Sequence, residues 1–294
     1  MGLFFSSDRF TRPGPGVRPD APRKKGVARL AEIMGRDMWN FFRAGFLAFL
    51  GCLPFIIGMF FAVETHALLF MLLAGIIGGL IAGPELSAMA DTVLRSLRDE
   101  PGYWWETYRR VWKRNARESL VPGMLTGLVL SMQIFTLFHM SVISAGIVTW
   151  VLLILSFVVT LGLESYIWPQ IALLDLPLYG ILKNSLLLFL GYLPRSLGAI
   201  AIKAVYWGAI LLFFPLTTII LPFTNFWLPM LPALLCIYQP LNKCFTIEST
   251  INKMREDELN AALAKDNEPL PEDPTEKAEE STQASSEDYS SDVQ

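Results

Sequence analysis

Residues 83–118 read GPELSAMADTVLRSLRDEPGYWWETYRRVWKRNARE, and their reading decides the fold. They separate two pairs of apolar segments and hold the densest aromatic and basic cluster in the chain. In the first half, Leu86, Met89, Val93, Leu94 and Leu97 share one helical face, and Asp91 stands four residues before Arg95 on another. That spacing predicts an amphipathic helix, begun at Gly83-Pro84 and ended before Pro101. After Pro101-Gly102 a second pattern starts. Trp104, Trp105, Tyr108, Val111 and Trp112 fall on one face, with Arg109, Arg110, Lys113, Arg114 and Arg117 on the rest. Aromatic rings favour the headgroup region and basic groups favour anionic lipid, so this helix is expected in the membrane interface. Two uses stay open for it: an anchor for the loop, or a docking surface for a cytoplasmic partner through Trp104, Trp105, Arg109, Arg110 and Trp112.

On either side the chain is apolar. Before the loop lie stretches 44–63 and 67–83, the first with Pro54 in its middle; after it lie 120–138, 142–163, 197–221 and 226–245. At about 1.5 Å per residue each is long enough for a hydrocarbon core of about 30 Å. Composition agrees: mean hydropathy is +0.43, and 17% of residues are charged where soluble domains carry about 25%. The expected fold is therefore an all-α membrane protein with six transmembrane helices.

Orientation follows from where Lys and Arg fall. Turns 62–66, 139–141 and 222–225 hold none, whereas the N-terminal segment, 84–118, 164–196 and the flank after 245 hold nearly all. Both termini are expected in the cytoplasm, in a plasma-membrane protein. Loop 84–118 has seven basic and six acidic residues, so the basic count, not the net charge, carries this reading.

The ends differ in kind. Segment 1–43 is basic. Its first part, rich in Pro and Gly, cannot be helical and lacks the continuous apolar run of a signal peptide. Leu30, Ile33, Met34 and Met38 then predict an interfacial helix leading into the first span. Stretch 164–196 is too apolar for an ordinary loop, and 178–190 should form a short half-buried helix. From residue 256 onward thirteen Asp or Glu face two Lys, so this tail is −11 and the rest of the chain +8, against −3 overall. The tail has little to bury and is expected to be disordered. The basic body favours the anionic inner leaflet of the membrane as a partner; bases spread over membrane-adjacent loops argue against nucleic acid.

Chemistry-bearing residues are few. Charges within spans are functional candidates by default, and Glu164 and Lys203 stand at matching depths, as a pair across the fourth and fifth spans. Reversing both charges should restore expression lost with either single reversal. Gln133, Tyr238 and Gln239 read as interhelical hydrogen-bonding groups. Glu64, His66 and His139 sit on outer turns without metal-ligand spacing. Cys52, Cys236 and Cys244 read as reduced side chains with no disulfide or zinc pattern. Gly75, Gly78, Gly79 and Gly83 give the second span a smooth side suited to close packing. No catalytic constellation, cofactor site, metal site or nucleotide motif is present, so an enzyme is not the expected reading.

Several motifs resemble a known family. RPGPGV (12–17), RKKG (23–26), Gly83-Pro84, Asp175-Leu176-Pro177 and KNSLLLFLGYLPR (183–195) together resemble the YesL-like family of Gram-positive bacterial membrane proteins, over about residues 8–250. That family is a domain of unknown function. The resemblance implies the same membrane fold, a place among carbohydrate-uptake and polysaccharide-use genes, and ABC transporter subunits as partners. Arg195 closes the Leu-Pro-Arg motif and joins the candidate residues. Two functions are carried forward: a non-enzymatic accessory component of carbohydrate uptake, and a permease-like transport subunit. Helix 178–190 between spans favours the second, and the scarcity of polar groups in the spans opposes it.

Overall fold

The computed structural model describes residues 23–100, 102–140 and 146–266, and among these there is no strand. The helices are α1 (Gly26–Thr65), α2 (Leu68–Arg98, with a π turn at Ala74–Gly78), α3 (Trp104–Phe138), α4 (Ile147–Leu173), α5 (Leu178–Gly191), α6 (Leu193–Leu212), α7 (Thr217–Thr224), α8 (Trp227–Phe245) and α9 (Ile247–Asp266). Five of them, α1, α2, α3, α4 and α6, are long and apolar enough to cross a membrane. The chain is a multi-pass, all-α membrane protein.

Six spans were expected, and the difference lies in the C-terminal third. Stretch 197–221 is not one helix: α6 ends at Leu212, and α7 begins only at Thr217. Stretch 226–245 does form a helix, α8, but Pro232, Pro240, Gln239, Asn242 and Lys243 make it less apolar than the five. The acidic stretch also departs from expectation at its start, because α9 runs through Glu256 to Asp266. Leu259, Ala261 and Leu263 there are strong helix formers. Residues 267–294 lie outside the described residues, as do 1–22 with the RPGPGV motif. Helix α9 belongs to a separate unit from residue 246 onward.

The amphipathic segments are corrected in a consistent way. Segment 27–42 was expected to lie on the membrane, yet it is continuous with the first span in the 40-residue α1. At about 1.5 Å per residue that is about 60 Å, twice the hydrocarbon thickness. The helix expected to begin at Gly83-Pro84 is likewise the continuation of α2, and the basic aromatic segment is the start of the 35-residue α3. Their apolar faces pack on one another rather than on lipid. Leu86, Met89, Val93, Leu94 and Leu97 are all buried, as are Ile33 of α1 and Tyr108 and Val111 of α3.

Helix α2 is central because its small residues admit a neighbour on each side. Toward α3, a Cβ on Gly75 would lie 2.8 Å from the Leu128 Cα, and one on Gly127 the same distance from the Gly79 Cα. Gly83 meets the Ser119 carbonyl as closely, which explains why Gly83 precedes Pro84 inside a helix: the position serves contact, not a break. Toward α1, a Cβ on Gly78 would lie 2.6 Å from the Phe55 Cα. Such small-residue seams let backbones approach where lipid offers no hydrophobic drive for association.

Candidate functional site

At the end of the bundle that carries the basic residues, α2 stops at Arg98; the Asp99 and Glu100 N–H groups still reach the Ser96 and Arg95 carbonyls, while those of Leu97 and Arg98 have no backbone donor among the described residues. Asp99 follows in the left-handed conformation (φ 60°), which Asp tolerates at a helix end. Arginines from the start of the chain donate to this helix end. Arg36 donates to the Ser96 carbonyl (2.8 Å), Arg29 to that of Leu97 (3.1 Å) and Arg23 to that of Arg98 (3.1 Å). All three also reach the Asp99 carboxylate: Arg29 at 2.6 Å, Arg23 at 3.1 Å, and Arg36 in a close pair. Burial alone would lift the Asp99 carboxyl, but the hydrogen bonds and charges of Arg36 and Arg29 outweigh it and hold the group below the usual carboxylate range. Arg98 grips Glu100 through two bonds (2.8 and 2.9 Å), and Arg95 holds Asp91 at 2.6 Å. Beside this network opens a cleft of about 320 Å³ lined by Arg36, Arg95, Asp99, Trp104 and Tyr108 among others.

The same device recurs on α3, where Arg114 donates to the Ala172 carbonyl in the last turn of α4 (2.8 Å). Its neighbours differ. Arg109, Arg110, Lys113 and Arg117 are exposed, and no described residue forms an ion pair or hydrogen bond with their side chains. Arg109, Lys113 and Arg117 repeat every four residues and so lie along one side of the helix. Trp105 is exposed there, while Trp104 is half-buried, with the Arg43 guanidinium 5.7 Å from its ring centre. Trp112 turns inward.

Its indole N–H donates to Glu85 at 2.9 Å, and the Tyr108 hydroxyl donates to the other oxygen of the same carboxylate at 2.5 Å. Glu85 packs against α1, where a Cβ on Gly51 would meet the Glu85 Cγ at 2.6 Å. Gly51 is fourteen residues from Thr65, so Glu85 lies about 21 Å from that end of the bundle. The sequence puts Glu85 in the loop, because Gly83-Pro84 predicts a helix start, whereas the structure places it inside α2. The signal against that was present: the apolar periodicity of Leu86, Met89 and Val93 continues the preceding helix without a break.

Glu164 and Lys203 do come together, across α4 and α6, with Nζ 4.0 Å from Oε2. The Trp168 indole N–H donates to Glu164 at 3.2 Å. Lys203 is buried, and a cavity of about 10 Å³ lies between the pair and α8. Arg195 is exposed at the start of α6 and joins none of these groups. Nearer the opposite end, Gln133 bridges to Ser156 (2.5 Å) and Thr160 (2.8 Å). At that end His66 and His139 meet, Nδ1 to Nε2, at 2.7 Å. Among the described residues no group of three or more His, Cys, Asp or Glu could hold a metal ion.

The arrangement offers one surface and two half-buried carboxylates. The surface can bind anions. Glu164 has a cationic partner, and Glu85 has only neutral donors. Compared with known protein families, curated proteins and solved structures, the chain finds no match.

Proposed function

We propose that this protein is a non-enzymatic accessory component of the plasma membrane that docks a cytoplasmic or membrane partner through the exposed basic face of α3. The observation that supports it is the contrast among the basic residues. Arg29, Arg36, Arg95 and Arg98 are used internally, whereas Arg109, Arg110, Lys113 and Arg117 have no partner among the described residues. Like charges at four-residue spacing repel, and an anionic partner offsets that cost. In this reading the basic end faces the cytoplasm, both termini lie there, and α8 makes the sixth span. Anionic lipid of the inner leaflet covers the part of the face nearest the membrane. The link to carbohydrate uptake, with ABC transporter subunits as partners, rests on the YesL-like motifs. A permease-like subunit is the second reading; what favours it is α5, a short apolar helix held between α4 and α6.

The test is purification of the tagged protein from native membranes in gentle detergent, with mass spectrometry of what accompanies it. A stoichiometric ATPase or permease subunit, lost when Arg109, Arg110 and Lys113 are changed to Gln, is the expected result. A clean protein without partners overturns the accessory reading. Cysteine-labelling from either side of sealed vesicles tests the orientation and the sixth span.

A further inference from the structure

We propose that one anionic phospholipid binds against α3, with its phosphate among Arg110, Arg114, Arg117 and Lys183 and one acyl chain in the groove between α3 and α4. This site rests on the lipid contact proposed above for α3 and gives it a definite ligand; it does not depend on the protein partner proposed with it.

Three observations carry it. First is a stripe along α3. Arg110, Arg114, Arg117, Val121, Leu125 and Val129 follow one another at spacings of three and four, so they share one side of the helix, and all are exposed. The stripe changes from basic to apolar once, between Arg117 and Val121. From Arg117 the helix runs on to Phe138, about 32 Å at about 1.5 Å per residue, which matches a hydrocarbon core of about 30 Å. The change therefore falls where headgroups give way to acyl chains. Second is the groove. Leu125 and Val129 of α3, Leu155, Val159 and Leu163 of α4 and Leu182 of α5 are among the residues lining a volume of about 500 Å³. The hydroxyls on its walls are engaged: Ser156 and Thr160 with Gln133, and Thr126 with the Pro122 carbonyl. What remains is apolar, and it reaches from about 12 Å to about 18 Å beyond Arg117 along the helix, a length suited to an acyl chain. Third is charge. Lys183 follows Leu182 on α5, is exposed and, like Arg110 and Arg117, has no ion pair or hydrogen bond with a described residue. Arg114 gives one edge of its guanidinium to the Ala172 carbonyl. Glu118 is the one acid between residues 107 and 138, and it stands four residues from Arg114. Four bases beside one acid favour an anionic headgroup, and the apolar groove beyond them favours a ligand that also carries a chain.

Native mass spectrometry of the full chain in gentle detergent tests this. Phosphatidylglycerol and phosphatidylcholine are added in equal amounts, and glycerol 3-phosphate, a headgroup without chains, is added to a separate sample. The expected result is one retained phosphatidylglycerol, little phosphatidylcholine and no glycerol 3-phosphate. Combining Arg110→Gln, Arg117→Gln and Lys183→Gln should weaken phosphatidylglycerol binding about tenfold or more, since each base near a headgroup adds to the attraction. Val159→Trp fills the groove and should weaken it as well. Val205→Trp, exposed on α6 outside the groove, should leave it unchanged. All the altered side chains are exposed, so thermal unfolding should match the wild type. Equal retention of the two lipids overturns the proposal. So does glycerol 3-phosphate bound as tightly as the lipid, or a loss with Val205→Trp as large as that with Val159→Trp. A preparation that holds the lipid but no protein partner overturns the docking role alone. One that keeps its partner without the lipid overturns this site alone.

Discussion

Two helix pairs in this bundle each hold a half-buried glutamate hydrogen-bonded to a tryptophan, and they handle its charge differently. Between α2 and α3 the backbones touch through Gly75, Gly79, Gly83, Gly123 and Gly127, and Glu85 receives only the neutral donors Tyr108 and Trp112. Between α4 and α6 there is no such seam; Glu164 takes the Trp168 indole N–H and the Lys203 ammonium lies at 4.0 Å. The difference teaches how space and charge trade against each other. Just past the glycine seam, Tyr108 and Trp112 take both oxygens of Glu85, and no cation among the described residues is placed beside it. A wider contact admits Lys203, and with it an ion pair that cannot lose one member safely.

The sharpest way to break the comparison is to remove one charge. Lys203→Met should cost about 3–5 kcal/mol, because it strands Glu164 in an apolar interior, and the double change with Glu164→Gln should recover much of the loss. Thermal unfolding of the purified variants in detergent checks this; a double variant no better than Lys203→Met would mean that the two residues are not partners. The glycine seam comes next. Gly79→Val forces side-chain atoms into the Gly123 carbonyl and should cost about 1–3 kcal/mol, whereas Gly198→Val on α6, where a Cβ meets nothing within 4 Å, should be near neutral.

At the basic end, Asp99→Asn leaves three arginines without their shared anion and should cost about 1–2 kcal/mol. The pH signature has a definite sign. The Asp99 carboxyl is held below its ordinary value, so its stabilisation is present above about pH 4 and is lost as pH falls through the lower folded-state value. Thermal stability of the wild type should therefore drop at strongly acid pH by more than that of Asp99→Asn. The smallest structural effect belongs to the exposed face. Changing Arg109, Arg110 and Lys113 to Gln should alter stability by less than about 0.5 kcal/mol, yet weaken binding to anionic vesicles by about 1 kcal/mol per residue that reaches the headgroups. A large loss of stability there would show that these bases have structural partners after all.

What the residues announced on their own was whatever depends on near neighbours. Apolar runs longer than a hydrocarbon core give membrane helices, and spacings of three and four in 86–97 and 104–112 give the helical faces. Glu164 and Lys203 were legible as a pair because unpaired charges in spans are costly and few others were available. Proline misled the reading at Gly83-Pro84, since a helix packed on both sides can carry a proline that an isolated one could not. Only the tertiary structure placed Glu85 within the bundle, and only it set Arg29 and Arg36 on Asp99, across sequence separations of 70 and 63 residues. Only it matched the glycines of α2, visible as a smooth stripe, to Gly123 and Gly127 on α3. The physical reason is common to all three. Periodicity records which side of a helix avoids water, but which partner fills that side depends on distances between helices, and no local pattern encodes them.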